Sequence, residues 1–333
     1  MTHIASWTGL VAAVIAGIVN GSVLVPMKFV RNWAWENIWL LFAFCAYVCS
    51  PWAVAFYSVP HLFAVYGQAG FVVTAVTCVL GMGWGLAVVL FGLAVDIVGL
   101  SISSAILYGC SVAIGSMGAL FIIDRSKLFT PDGLKILLWD VVLLAGVLCC
   151  AQAGRKREPP KTQDHARTTK GVAISLLAGL LSTLFNILLA YGQPIRLTAL
   201  AMGASPNSAT NAIWSLAVSS GSIPSLVWSL YLLKRNATWS RYRAEGSGRN
   251  AILSVSMGAF WILGTVLYGF ATTRLGPLGI ASGWPLYMSL TILAGISWGF
   301  LLGEWRGAPR PSLRLLWAGV GTQIFAIVLL SAA

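Results

Sequence analysis

Residues 84–99 read WGLAVVLFGLAVDIVG, and residues 261–276 read WILGTVLYGFATTRLG. At this constant offset Trp84, Val89, Leu90 and Gly92 fall opposite Trp261, Val266, Leu267 and Gly269. Ala94 and Gly99 likewise fall opposite Ala271 and Gly276, and Phe91 opposite Tyr268. A fainter echo links Gly9 and Ala16-Gly17 with Gly171 and Ala178-Gly179. The chain repeats itself, and both copies lie inside long apolar runs.

Working outward, ten such runs follow one another: 7–25, 36–57, 69–94, 97–123, 134–154, 171–191, 207–233, 250–271, 277–303 and 311–332. Most reach the roughly 18–20 residues that cross a bilayer. Hydrocarbon offers no partner to a peptide group, so each run is expected to be a helix. Of the 333 residues 58% are hydrophobic and 9% charged, against about 25% charged in a soluble domain. A chain this long and this poor in charge has no means of covering itself with a solvated surface, and lipid is its expected surrounding.

Five runs precede the basic loop 155–170, RKREPPKTQDHARTTK, and five follow it. Five is odd, so a second half resembling the first must enter the membrane from the other side. The expected fold is therefore an all-α membrane protein of ten transmembrane helices in a 5+5 inverted repeat. Residues 1–154 and 171–333 form the halves, and 155–170 is a cytoplasmic linker. Inverted repeats are a transporter architecture, with the substrate near midplane between the halves.

The net charge of +12 suits nucleic acid in a soluble protein, but here its placement reads as topology. Of the 21 Lys and Arg, 16 lie in or beside the loops after runs 1, 3, 5, 7 and 9. The positive-inside bias then sets those loops in the cytoplasm and both termini in the periplasm of a bacterial inner membrane. The first run has no basic residue before it and no usual cleavage site, so it reads as a retained helix.

The six cysteines lie inside apolar runs without metal-ligand spacing to a histidine. His3, His61 and His165 fall in the terminus and loops, and neither an HExxH nor a Walker-type loop occurs. Neither an enzyme nor a bound metal or cofactor is expected. Small-residue stripes at Ala13, Gly17 and Gly21, at Ser101, Ala105, Gly109 and Ala113, at Ser175, Gly179 and Thr183, and at Gly295, Gly299 and Gly303 mark close helix contacts. Nothing in the sequence sets an oligomeric state.

At residues 26–39, PMKFVRNWAWENIW, the motif Pro26-x-Lys28 followed by Trp33-x-Trp35-Glu36 resembles the opening of the L-rhamnose–proton symporter family. That family belongs to the drug/metabolite transporter superfamily. The stretches LGMGWGLAVVLFGLAVDIVGLSIS (80–103) and SGWPLYMSLTILAGISWGFLLGEW (282–305) are similar to its third and ninth helices. The resemblance implies a ten-helix inverted repeat and proton-coupled sugar uptake. At AYGQPI (190–195), Ala190 and Gln193 stand where the best-known members have Asn and Lys.

A proton symporter needs a titratable group, and an ionisable residue within a span is a functional candidate by default. Asp124, Asp132, Glu158, Asp164 and Glu245 lie in basic loops, and Asp96 in a tight turn. Glu36 begins the second run, with Lys28 as its expected partner, and is the first candidate for proton coupling. Asp140, about two turns inside the fifth run, is the next, while Glu304 reads as an interfacial anchor.

Sugars are held by aromatic faces and by groups that both donate and accept hydrogen bonds. Trp84 and Trp261 lie near the middle of their spans, an unusual depth for tryptophan. With Tyr108, Trp214, Trp284 and Tyr287, and the amides Asn20, Asn186 and Asn211, they form the expected substrate site. The leading reading is a proton-driven importer of L-rhamnose or a related monosaccharide. A metabolite exporter and a passive channel stand as alternatives.

Overall fold

Long apolar runs close their own peptide hydrogen bonds, and the structure, a computed structural model, is helical throughout. It describes residues 2–157, 165–276 and 279–332, among which no strand occurs. Glu158, Asp164 and the middle of the 155–170 linker lie outside these residues, as do the side chains of Ser101, Ala105, Ala113 and Asp132.

The order is α1 (Thr2–Gly21), α2 (Trp35–Ala43), α3 (Ser50–Ser58), α4 (Leu62–Ala69), α5 (Phe71–Val98), α6 (Leu100–Asp124) and α7 (Pro131–Arg157). After the linker come α8 (His165–Ser182), α9 (Leu184–Tyr191), α10 (Gln193–Ala201), α11 (Asn211–Arg235), α12 (Ser247–Arg274), α13 (Gly279–Leu301) and α14 (Arg310–Ala332). Among the described residues, nine stretches are long and apolar enough to cross a membrane, the last ending at Leu301. The protein is thus an all-α, multi-pass membrane protein. Short α4 was not foreseen, and the sixth apolar run extends through α8, α9 and α10 to Ala201.

Two local features follow directly from sequence. Pro51 has no N–H for the Tyr47 carbonyl four residues back, and between α2 and α3 the helix widens into a π-turn over Phe44–Cys49. The turn closes partly through Ser50, whose hydroxyl donates to Cys45 O at 2.7 Å. The chain leaves α5 at Gly99 and α12 at Gly276, with φ of 91° and 88°. That left-handed backbone favours glycine at both positions, which the sequence alignment had set opposite each other.

Packing pairs the elements in a regular way. Helix α1 lies along α12 and α13, while α8 lies along α5 and α6. Helix α5 packs on α11, α12 on α2, and α7 on α14. Gly9 abuts Arg274 and Leu275, where Gly171 abuts Ile97 and Val98. Gly17 lies against Tyr287 and Leu290 of α13, where Gly179 lies against Ile106 and Cys110 of α6. A Cβ added at Gly81 would stand 2.1 Å from Ala217 O, so only glycine lets α5 and α11 approach this closely.

Candidate functional site

At the centre the repeated tryptophans meet. The Trp84 and Trp261 rings stack with centroids 5.7 Å apart, from α5 and α12 respectively. They are 9% and 8% exposed, so each is nearly enclosed by protein. Tyr47, carried on the π-turn that Pro51 imposes, meets both rings edge-on at 5.4 and 4.8 Å. Phe185 of α9 touches Trp84 at 5.0 Å and stacks on Trp214 of α11 at the same separation. It also reaches Trp284 of α13 at 5.7 Å. Beyond it, Tyr268 stacks on Tyr287 at 4.7 Å and meets Trp284 at 5.6 Å.

The structure therefore brings Trp84, Trp214, Trp261, Trp284 and Tyr287 into one cluster, with Tyr108 half-buried against the same core. Tyr47, Phe185 and Tyr268 belong to the cluster and were missed as site residues. The signals available were Pro51 four residues after Tyr47 and the place of Tyr268 in the repeat. Phe185 adjoins Asn186 in sequence but carries no motif of its own.

Polar groups fix the rings. The Trp284 indole donates to Ser111 O at 2.7 Å, across the gap left by Gly115. The Asn186 amide donates to Gly115 O at 3.0 Å and Ile280 O at 3.2 Å, and its carbonyl accepts from the Tyr268 hydroxyl at 2.5 Å. Asn186 thereby ties together α6, α9, α12 and α13. The Trp214 indole N–H, which lies over Gly269, and the Thr210 hydroxyl are each buried with no partner among the described residues. Asn20 and Asn211 make ties of their own between helices. Asn20 donates to Thr291 Oγ1 at 3.3 Å, tying α1 to α13, and Asn211 donates to Ser58 Oγ at 2.9 Å, tying α11 to α3.

Glu36, 4% exposed, does not pair with Lys28. Its Oε1 accepts from Asn236 Nδ2 at 3.0 Å and Thr238 Oγ1 at 2.7 Å, both in the loop between α11 and α12. Lys28 pairs instead with Glu304, and Arg157 donates to Glu304 O at 3.3 Å while lying over the Trp305 ring. The expected Lys28 partnership fails because the start of α2 is docked onto the opposite loop. Around it, Trp33 donates to Ser247 Oγ at 3.0 Å, Arg31 and Asn250 exchange two bonds, and Asn37 Nδ2 donates to Thr238 O at 3.0 Å. Trp35 stacks on Trp39 with centroids 4.9 Å apart. Tyr242 donates to Asn37 O at 3.0 Å, and burial pushes its phenol above the ordinary tyrosine value, which keeps that donor in place.

The far end of the bundle has a second clasp, in the segment where Asn207 also accepts from Arg274 at 2.8 Å. Ser208 and Asn211 bond Ser58 there, and Tyr66 bonds Ser215 at 2.6 Å and Ala212 O at 3.1 Å.

Asp140 has a different setting. It is 1% exposed on α7, and neither carboxyl oxygen has a hydrogen-bond partner. Ser116 of α6 is the polar side chain facing it. Ile136 and Trp139 from its own helix pack nearby with Leu120 and Ala281. A carboxylate buried without donors or cations carries a large desolvation cost.

A multi-helix membrane bundle, tied by polar contacts toward both ends and holding a central cluster of aromatic rings, has the form of a membrane transporter. The match to known sequences places it more narrowly. The family description "L-rhamnose-proton symport protein" matches residues 3–332, and the chain belongs to that family, a family of transporters rather than enzymes. The L-rhamnose-proton symporters of Citrobacter koseri and Pectobacterium atrosepticum are each 24% identical, over 311 and 310 residues. That of Salmonella gallinarum is 24% identical over 310 residues, and in all three cases 90% of each chain is covered.

Proposed function

We propose that this protein imports L-rhamnose or a related monosaccharide across the inner membrane together with a proton, by alternating access. The observation that carries the reading is the Trp84–Trp261 stack at the centre of a chain belonging to this family. Rings of this kind, backed by Tyr47 and the Asn186–Tyr268 bond, suit the C–H faces and hydroxyls of a sugar. The unpartnered Trp214 and Thr210 donors are suited to sugar oxygens. The substrate site comprises Trp84, Tyr108, Trp214, Trp261, Trp284 and Tyr287, with Asn186.

Ten spans in a 5+5 inverted repeat are part of this reading, α14 being the tenth. Its support is the exchange of packing partners. Replacing α1, α12 and α13 by α8, α5 and α6 reproduces the contacts of Gly9 and Gly17 at Gly171 and Gly179. The two clasps exchange in the same way, as do Gly99 and Gly276. Basic-loop placement supports periplasmic termini. Single cysteines at Ser126 and Ser240, in a chain lacking the native six, should react from the periplasm and the cytoplasm respectively. Labelling of Ser240→Cys from outside intact cells would reverse the orientation.

The two buried acids divide the remaining work. Glu36, already bonded to two donors, holds the clasp at the basic end, and Asp140, without a donor, carries the coupled proton. Purified protein in proteoliposomes should concentrate L-rhamnose when the outside is acidified, with protons entering alongside the sugar. Equilibration without accumulation would make it a channel, and net export in exchange for protons an exporter. Either result rejects the proposal.

A further inference from the structure

Pro285 lies inside α13 and has no N–H to return to the carbonyl four residues earlier, that of Ala281. Ser116 of α6 fills the gap, its buried hydroxyl donating to Ala281 O at 2.9 Å. The same side chain lies within reach of Asp140 on the neighbouring α7, although neither carboxyl oxygen holds a hydrogen bond from it. It has one hydrogen to give, so while Ala281 O holds that hydrogen the carboxyl receives none.

This contested hydrogen sits beside the substrate cluster. Gly115 and Ile280, the residues just before Ser116 and Ala281, both supply carbonyls to Asn186, which holds Tyr268. Trp284 adjoins Pro285 and donates to Ser111, one turn before Gly115. The contact of α6 with α13 that Ser116 completes is therefore the contact that sets three rings, Tyr268, Trp284 and Tyr287.

We propose that Ser116 is a positioning residue that reports the proton on Asp140 to the sugar site. With Asp140 neutral, Ser116 bonds Ala281 O and α13 is held against α6. With Asp140 ionised, the carboxylate is the stronger acceptor and takes the hydroxyl. Ala281 O is then a buried acceptor without a donor, and α13 shifts at its proline to relieve it. The inference rests on the reading that Asp140 carries the coupled proton.

The charged groups of the helices packed on α7 stand at their ends. They are Asp124 at the end of α6 with Arg125 and Lys127 just beyond it, Glu304 and Arg306 after α13, and Arg310 and Arg314 at the start of α14. Closer to the middle, α6 brings Tyr108 and Cys110 and α13 brings Tyr287, while α7 itself carries Lys135, Cys149 and Cys150. The Ser116 hydroxyl is the neutral polar group that acts on the Asp140 carboxyl.

The test is L-rhamnose affinity of purified, full-length protein as a function of pH, with the infrared carboxyl band of Asp140 followed in parallel. Wild type should bind more tightly at the acid end by about tenfold, a typical coupling between sites. Asp140→Asn should bind at the acid-form affinity at every pH. Ser116→Ala should keep the carboxyl band and its titration while sugar affinity ceases to follow it, and Ser116→Thr should restore the dependence. A Ser116→Ala protein that keeps the wild-type pH dependence, or a Ser116→Thr protein that loses it, overturns the role of Ser116 alone. An Asp140→Asn protein that keeps that dependence overturns the reading beneath it as well.

Discussion

Glu36 and Asp140 are both buried carboxyls in the same bundle, yet their surroundings differ in kind. Glu36 lies at a helix start, where amide and hydroxyl donors from a loop 200 residues away converge on one oxygen. Asp140 lies nine residues into α7, about 14 Å along the helix, with a facing hydroxyl already engaged elsewhere. Burial alone does not identify a proton carrier. A carboxylate given donors is stabilised as an anion, whereas one deprived of them is costly to leave charged.

The comparison breaks most sharply at Asp140. A potential of 100 mV supplies about 2.3 kcal/mol per proton, roughly a fiftyfold sugar gradient. Asp140→Asn should lose that accumulation while exchanging labelled for unlabelled sugar, measured in proteoliposomes with an imposed gradient. If the variant still accumulates sugar to the wild-type level, Asp140 is a packing residue and the roles are reversed.

Next in size is the effect on the rings. Trp84→Phe and Trp261→Phe keep an aromatic core but shrink the stacking face, and each should weaken L-rhamnose binding by about 1 kcal/mol, roughly fivefold, within the range of aromatic stacking on bases. Equal losses at both positions would sharpen the equivalence of the halves. Unchanged affinity in both folded variants would move the sugar elsewhere.

Glu36→Gln should lower thermal stability by about 1–2 kcal/mol, because charge-assisted bonds become neutral ones. Sugar-driven proton entry should persist, as read from medium alkalinisation in energised cells. Its abolition with binding intact would return the coupling role to Glu36. Smallest of all, Lys28→Ala should cost less than about 1 kcal/mol and progressively less as salt rises, since the Lys28–Glu304 pair is substantially exposed.

Much of the fold is legible in the sequence. Run length and charge poverty gave the membrane helices, because hydrocarbon leaves a peptide no other choice. The repeated Trp84 and Trp261 also pointed to the centre, since tryptophan at mid-depth needs protein around it. The ties of Glu36, Asn20 and Asn211 were illegible for one reason: each partner lies far along the chain, on an element whose depth and rotation the sequence does not specify. Tyr47 was hidden differently. Its aim depends on a π-turn, and the helical period used to read a run assumes that no such turn exists.

The bonds of Glu36 also carry a consequence for how the chain is made. They close a circuit 200 residues long, so the helices before α11 are made before the donors of Glu36 exist. Only when α11 is in place and Asn236 and Thr238 follow it does the Glu36 carboxyl have them. Completion of that later segment is thus registered as two hydrogen bonds on Glu36, and a chain stopped before residue 236 lacks both donors.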